Sequence, residues 1–332
     1  MYKIRGNDVE TLEPATFSEL GMSENDIEEL LRLNISMLHD EEESLLVVGK
    51  QVRNEKQGRS DLTAVDQNGN IVLIEIKRDR RDIEHRKEAF EFQAIRYAAS
   101  YATIKDPDEL VEKVYTPYLA NYYKKEGQGD LTYSELGARK LTEFLVENGS
   151  EQTFNLKQRI MLVASDFDEQ TLSAVAWLNS NGVEISCLKL IPYQIDGSTY
   201  IYVDKLLPIM DYGDYYVNIS VKSGGLQLPT SKKKDISRRS LPKIDKLLEW
   251  GAVHDGDILK ARGREEEGVL LPNGKIRSNG EEVSLQSWLQ GIFGWSSVQT
   301  YHFTIHKESG KSLGEIRAAF MEQLEKESII KE

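Results

Sequence analysis

Two short segments hold the side chains that metal-assisted phosphoryl chemistry requires: Gly58-Arg59-Ser60-Asp61, and Ile71-Val72-Leu73-Ile74-Glu75-Ile76-Lys77 ten residues later. Two carboxylates brought within a few ångströms repel unless a cation sits between them, and an all-oxygen ligand set suits Mg²⁺ or Mn²⁺. A lysine beside that cation can orient or help deprotonate an attacking water and offset charge on a pentavalent phosphate. The chemistry implied is phosphodiester hydrolysis. A Glu-x-Lys on the solvent face of a hairpin is common, so the pair gains meaning only from what surrounds it.

The elements that must position these residues are a hairpin and a helix. Ile71 to Lys77 is β-branched and apolar, Asp61 to Asp66 reads as a second strand, and Asn68-Gly69 marks the turn between them. Side chains alternate along a strand, so Glu75 and Lys77 project together with Leu73, opposite Val72, Ile74 and Ile76. A two-residue turn would set Asp61 across from Ile76. A three-residue loop, Gln67 to Gly69 with Gly69 left-handed, would pair Asp66 with Asn70 and set Asp61 across from Glu75; this second register is favoured. The helix expected over Arg86 to Tyr101 carries Ala89, Phe92, Gln93, Arg96 and Tyr97 on or near one face, with Gln93 and Tyr97 on a shared stripe.

Asp61, Glu75-Ile76-Lys77 and Gln93-Ala94-Ile95-Arg96-Tyr97, in that order, resemble the PD-(D/E)XK nuclease superfamily in its branch with a Q-x-x-x-Y helix. Gly58 to Thr63, Val72 to Arg78 and the segment Ser23-Glu24-Asn25-Asp26-Ile27-Glu28-Glu29-Leu30-Leu31 are similar to the NucS/EndoMS-type endonuclease domain. The resemblance implies that Asp61, Glu75 and the backbone carbonyl of Ile76 bind metal. An acidic residue of the first helix joins them, matched here by Glu24 with Glu28 next. It implies that Lys77 assists the water and that Gln93 and Tyr97 orient Lys77 or touch phosphate. Glu24 also follows a good N-cap, Ser23, where a first-turn carboxylate is favoured by the helix dipole alone. The chain departs from the family at Ser60, where proline is frequent, and at Leu33 to Leu38, where the first helix is expected to continue through the position of the usual break.

Composition sets the outer limits. The 332 residues suit about two domains of ~100 to 200 residues each, and 39% are apolar. No apolar run approaches the ~18 residues of a membrane span and the N-terminus has no apolar leader, so a cytoplasmic protein is expected. A single cysteine, Cys187, forbids an internal disulfide and a multi-cysteine zinc site. There is no G-x-G-x-x-G after a strand, no phosphate-binding P-loop and no nucleophile elbow. His302 and His306, the one i, i+4 histidine pair, fall on an expected strand and make a poor zinc site. The net charge of -13 opposes polyanion binding, but it is uneven: from Lys222 onward 18 basic residues face 16 acidic ones, leaving -15 for the first 221. Arg59, Arg78 and Arg96 are the DNA-contacting candidates beside the site.

A mixed α/β domain is expected over residues 1–210, with a restriction-endonuclease-like mixed sheet flanked by helices and a β-α-β unit at Gln158–Ala164, Glu169–Asn179 and Val183–Leu190. The tyrosines between 115 and 133 read as a core stripe rather than a base-stacking platform. Residues 211–240 read as a basic linker whose Lys232, Lys233, Lys234, Arg238 and Arg239 suit phosphate.

A small α+β domain over 241–325 is expected to begin with a helix at Leu241–Trp250 and to end on a strand at Thr300–His306. Leu248-Glu249-Trp250-Gly251, Gly256-Asp257-Ile258-Leu259, Leu271 to Ile276, Gly294-Trp295 and Gly310 to Arg317 make it resemble the RAMA domain, which implies DNA reading with Trp295 as a base contact; in so small a domain Trp288 and Trp295 equally suit core anchors. The function expected is a Mg²⁺-dependent DNA endonuclease, homodimeric because a double-strand cut needs two sites, in restriction or anti-phage defence. A repair endonuclease for mismatched or branched DNA and a non-catalytic DNA-binding scaffold are the alternatives.

Overall fold

A computed structural model describes residues 1–39, 41–54, 58–84, 88–123, 131–208 and 241–330, with side chains to residue 324. The chain divides into two compact units: Met1–His39, Glu43–Pro208 and Trp295–Ser297 form the first, and Asp40–Glu42, Ile209–Gly294 and Val298–Glu332 the second. The basic segment with Lys232, Lys233, Lys234, Arg238 and Arg239 lies outside the described residues.

The first unit opens with a two-stranded ribbon, β1 (Tyr2–Arg5) and β2 (Asp8–Thr11), followed by helix α1 (Glu24–Leu33). Ser23 starts α1 through a capping box: its hydroxyl receives the Asp26 N–H while the Asp26 carboxylate receives the Ser23 N–H. Ile27, Glu28 and Leu31 are its buried positions. The helix stops at Asn34 and a 3₁₀ turn covers Ile35–Leu38, so the expected continuation fails; the Asn34 N–H closes the last turn onto Leu30 and Leu31.

Next come β3 (Leu45–Arg53), β4 (Arg59–Asp66), β5 (Ile71–Lys77) and a short α2 (Arg80–Glu84). Helix α3 (Phe90–Tyr101) begins four residues later than the sequence suggested, and residues 85–87 lie outside the described set. Then follow α4 (Pro107–Leu110), a π turn at Val111–Tyr115, α5 (Thr116–Tyr122) and α6 (Tyr133–Glu147). The unit closes with β6 (Gln158–Ala164), α7 (Glu169–Ser180), β7 (Ile185–Ile195) and β8 (Ser198–Leu207).

The six-stranded sheet runs β3-β4-β5-β6-β7-β8 and is mixed: β5, β6 and β7 are parallel, while β3, β4 and β8 join antiparallel. The expected β-α-β unit is β6-α7-β7. Ile27, Leu31 and Ile35 pack with Leu62, Ala64, Val72, Ile74, Ile76, Met161 and Val163 into one core, as the alternation of β5 requires. Helix α3 packs against β4, β5 and β6. Of the tyrosine series, Tyr115 is buried whereas Tyr122 is 39% exposed, so only part of it is core.

The second unit holds α8 (Ile244–Glu249), β9 (Ile258–Ala261), β10 (Glu267–Leu270), β11 (Ile276–Ser278) and β12 (Glu281–Val283). It continues with α9 (Leu285–Phe293), α10 (Thr300–Phe303), β13 (Thr304–His306) and α11 (Leu313–Ile330). Its antiparallel sheet is ordered β12-β11-β10-β9-β13. Helix α8 is shorter than expected, and the expected last strand is half helix: Thr300, Tyr301 and Phe303 are buried in a helical turn before the chain extends. No described helix is long and apolar enough to cross a membrane.

Candidate active site

The turn between β4 and β5 fixes what stands opposite what. The Asp66 N–H donates to the Asn70 carbonyl at 3.0 Å, the Gly69 N–H to the Asp66 carbonyl at 2.9 Å, and Gly69 has φ +79°. This is the three-residue loop, and the ladder runs through Leu62 opposite Ile74. In that register Asp61 stands across from Glu75, with its Oδ2 receiving the Ile76 N–H at 2.8 Å. On the outer side, Lys50 pairs with Leu62 and Val52 with Ser60, which places Gln51 beside Asp61. Gln51, Asp61 and Glu75 therefore form one row across three strands.

Helix α1 completes the cluster. Glu24, Glu28 and Asp61 each offer a carboxylate oxygen within 4.8 Å of the other two. Glu28 is 2% exposed; one of its oxygens receives the Gln51 side-chain amide and the other, Oε2, has no hydrogen-bond partner. Glu75 is fully buried and neither of its carboxylate oxygens has a hydrogen-bond partner. Burial pushes the carboxyl of Asp61 above its ordinary range, against the opposing pull of Lys77. Burial, reinforced by the charge of Asp61, pushes Glu75 well above, and burial raises Glu28 as well.

An unpartnered buried carboxylate costs several kcal/mol unless it is neutralised or takes a cation. Among the described residues, the carboxylates close enough to share one cation are Glu24, Glu28 and Asp61, an all-oxygen donor set that fits Mg²⁺ or Mn²⁺, with Glu75 beside them opposite Asp61 in the hairpin register.

Lys77 reaches into this cluster with its side chain only 14% exposed. Its ammonium donates to Glu24 Oε1 at 3.2 Å and to the Ile76 carbonyl at 2.9 Å, the two groups expected to add metal ligands. Burial alone would weaken its proton affinity, but Asp61, Glu24 and Glu75 outweigh burial and hold its pKa above the usual lysine value. Lys77 is therefore an ammonium in this arrangement.

Gln93 and Tyr97 meet the strand leading into Asp61 rather than Lys77. The Tyr97 hydroxyl receives the Arg59 backbone N–H at 2.9 Å, and the Gln93 amide donates to the same hydroxyl at 3.4 Å. One turn along α3, the Tyr101 hydroxyl lies 3.1 Å from Ser60 Oγ and 2.8 Å from Thr63 Oγ1. The stripe acts as a brace for β4.

Of the basic candidates, Arg59 is exposed, Arg78 is paired with Asp79 and Asp82 at 3.2 and 3.4 Å, and Arg96 is exposed and paired with Glu88. Trp295 sits as a core anchor would. It belongs to the first unit, is 5% exposed, and meets Phe144 edge-on with ring centroids 4.9 Å apart, so its ring is already packed. Trp288 is 6% exposed.

Strand β3 was missed from the sequence, and with it Lys50 and Gln51. The run Leu45-Leu46-Val47-Val48 was the available signal for the strand. Lys50, 4% exposed at its side chain, pairs with Glu29 at 3.0 Å and stands 3.9 Å from Glu28.

No family model matches the chain and no curated protein matches it. Among solved structures, one described as "Structure of EndoMS-dsDNA2 complex" aligns at 14% identity with a TM-score of 0.24, covering 56% of this chain and 49% of that one. The match spans about half the length of that protein, and so loose a superposition leaves the site to be read from its own residues.

Proposed function

We propose that the first unit is a Mg²⁺-dependent DNA endonuclease, with Mn²⁺ as a substitute, that hydrolyses phosphodiester bonds. The observation that carries this reading is Glu75, a fully buried carboxylate with no hydrogen-bond partner, set across a hairpin from Asp61 and two residues before a lysine on the same strand. Asp61, Glu75 and a helix carboxylate, Glu28 or Glu24, hold the metal. The Ile76 carbonyl, which now receives the Lys77 ammonium, would be a further ligand.

A bound divalent ion supplies Lewis acidity at the scissile phosphate. Lys77 brings an ammonium to the same place, where it donates to a phosphate oxygen as negative charge builds there. Glu24 Oε1 anchors that ammonium before substrate arrives, and the Tyr97 hydroxyl keeps the strand bearing Asp61 in register. Arg59, exposed two residues before Asp61, would meet the DNA backbone.

The second unit, through the small domain expected over residues 241–325, selects the DNA, in a restriction or anti-phage setting. The basic segment around Lys232 to Arg239 adds phosphate affinity, and a homodimer supplies the second site for a double-strand cut. The deciding experiment incubates plasmid and phage DNA, modified and unmodified, and mismatched or flapped oligonucleotides with wild type and Lys77→Ala, in Mg²⁺, Mn²⁺ or EDTA. Metal-dependent cutting lost in Lys77→Ala supports the nuclease, and preference for mismatches or flaps moves it to repair. Binding without cutting on every substrate replaces it with a DNA-binding scaffold.

A further inference from the structure

We infer that Gln51 is a positioning residue that holds Glu28, in preference to Glu24, as the helix carboxylate of the metal centre; this rests on reading the site as a divalent-metal centre. The two glutamates lie one turn apart on α1 and both reach Asp61, but their surroundings differ. Glu24 is 37% exposed at its side chain and engaged with the Lys77 ammonium at 3.2 Å. Glu28 is 2% exposed, with one oxygen taken by the Gln51 amide and the other, Oε2, buried without a hydrogen-bond partner and with the Lys50 ammonium no nearer than 3.9 Å, a looser engagement than that of Glu24 with Lys77. A neutral amide donor suits this task. It fixes the carboxylate's orientation through one oxygen and leaves the negative charge for a cation at the other, as outer hydrogen bonds to metal ligands do.

The backbone at Gln51 points the same way. Its φ is +57°, a left-handed conformation in the middle of a strand, where non-glycine residues are uncommon. The flanking pairs Lys50 with Leu62 and Val52 with Ser60 keep one register, set after the shift between Val47 and Gly49. Lys50 and Gln51, adjacent on one strand, would ordinarily project to opposite faces; here both reach α1, Lys50 to Glu29 and Gln51 to Glu28. A locally strained residue that aims its side chain at a buried carboxylate fits a functional constraint better than a packing one.

The test is Mn²⁺ binding to the full chain, measured by calorimetry, alongside thermal unfolding in EDTA. Gln51→Gly is expected to weaken Mn²⁺ about tenfold or more, while its metal-free melting point stays level or rises because glycine adopts the left-handed backbone without strain. Glu28→Gln loses at least as much affinity, Glu24→Gln loses less, and adding Gln51→Gly to Glu28→Gln costs nothing further, since the two act through one contact. Wild-type affinity in Gln51→Gly, or an undiminished loss on the Glu28→Gln background, overturns the inference. Should wild type and Asp61→Asn alike take up no Mn²⁺, the metal-centre reading itself falls, and that result is separate from a wild type that binds with Gln51 indifferent.

Discussion

The phenol of Tyr97 receives the backbone N–H of Arg59 at 2.9 Å, so a side chain of α3 serves as a hydrogen-bond partner for the strand that enters the site at Asp61. Gly58 leaves room for it: a Cβ there would sit 2.6 Å from Tyr97 Cε1. Tyr97→Phe removes the acceptor and keeps the ring. The expected outcome is a loss of about 1 kcal/mol in urea unfolding, the usual worth of one such bond, with cleavage reduced more than stability because Asp61 lies two residues on.

Glu75→Gln keeps the shape of the buried side chain and removes its ionisation. In EDTA the variant is expected to melt higher than wild type, because no carboxylate has to be desolvated. Adding Mg²⁺ or Mn²⁺ should raise the wild-type melting point and leave that of Glu75→Gln unchanged. Equal metal-induced shifts in the two proteins would remove Glu75 from the ligand set.

The pH dependence of the metal-free protein follows from Asp61, Glu75 and Glu28, all raised by burial. The folded state keeps protons that the unfolded chain releases above the ordinary carboxylate range of about 4. Their contribution is complete below that range and is lost as pH rises toward the raised values. Melting in EDTA should therefore fall as pH is raised from 5 to 8, and the stabilisation by a divalent ion should grow over the same interval.

Lys77→Ala is expected to lower the cleavage rate by about 10² to 10³, the usual cost of a charge donor aimed at a developing anion. Metal affinity should hold or increase, since the Ile76 carbonyl and Glu24 lose a competing ammonium. Parallel calorimetry and single-turnover cleavage separate the two effects.

Gly69→Ala tests the loop that sets the register. The residue has φ +79°, and a Cβ would lie 3.0 Å from the Ser150 carbonyl oxygen. A loss of about 1 kcal/mol or more is expected from the backbone conformation alone, read as a lower denaturation midpoint with an unchanged slope.

The hairpin was legible because its information is local: Asn68-Gly69, an alternating apolar strand and a left-handed glycine together choose one register. The β-α-β unit was legible for the same reason, as a change of hydrophobic period. For Trp295 the sequence left a core anchor and a base contact side by side, because a tryptophan that covers Phe144 and one that meets a base look alike in sequence. Gln51 was invisible. Its importance comes from a left-handed φ and from a register shift between Val47 and Gly49 in the β3–β4 ladder, and nothing in Gly49-Lys50-Gln51-Val52 announces either. The fate of Asn34 and of Thr300 to Phe303 was likewise decided by tertiary burial and capping rather than by propensity.

The row Gln51, Asp61, Glu75 draws on three strands, and its fourth member, Glu28, comes from a helix made earlier in the chain. Such a centre has high contact order. The β4–β5 hairpin can form on its own timescale, but the carboxylates converge only after β3 has docked and α1 has closed over the sheet. On the proposed reading, a partly folded chain would carry the Asp-Glu-Lys signature without the assembled carboxylates, so that metal binding and cleavage would come only with the completed first unit.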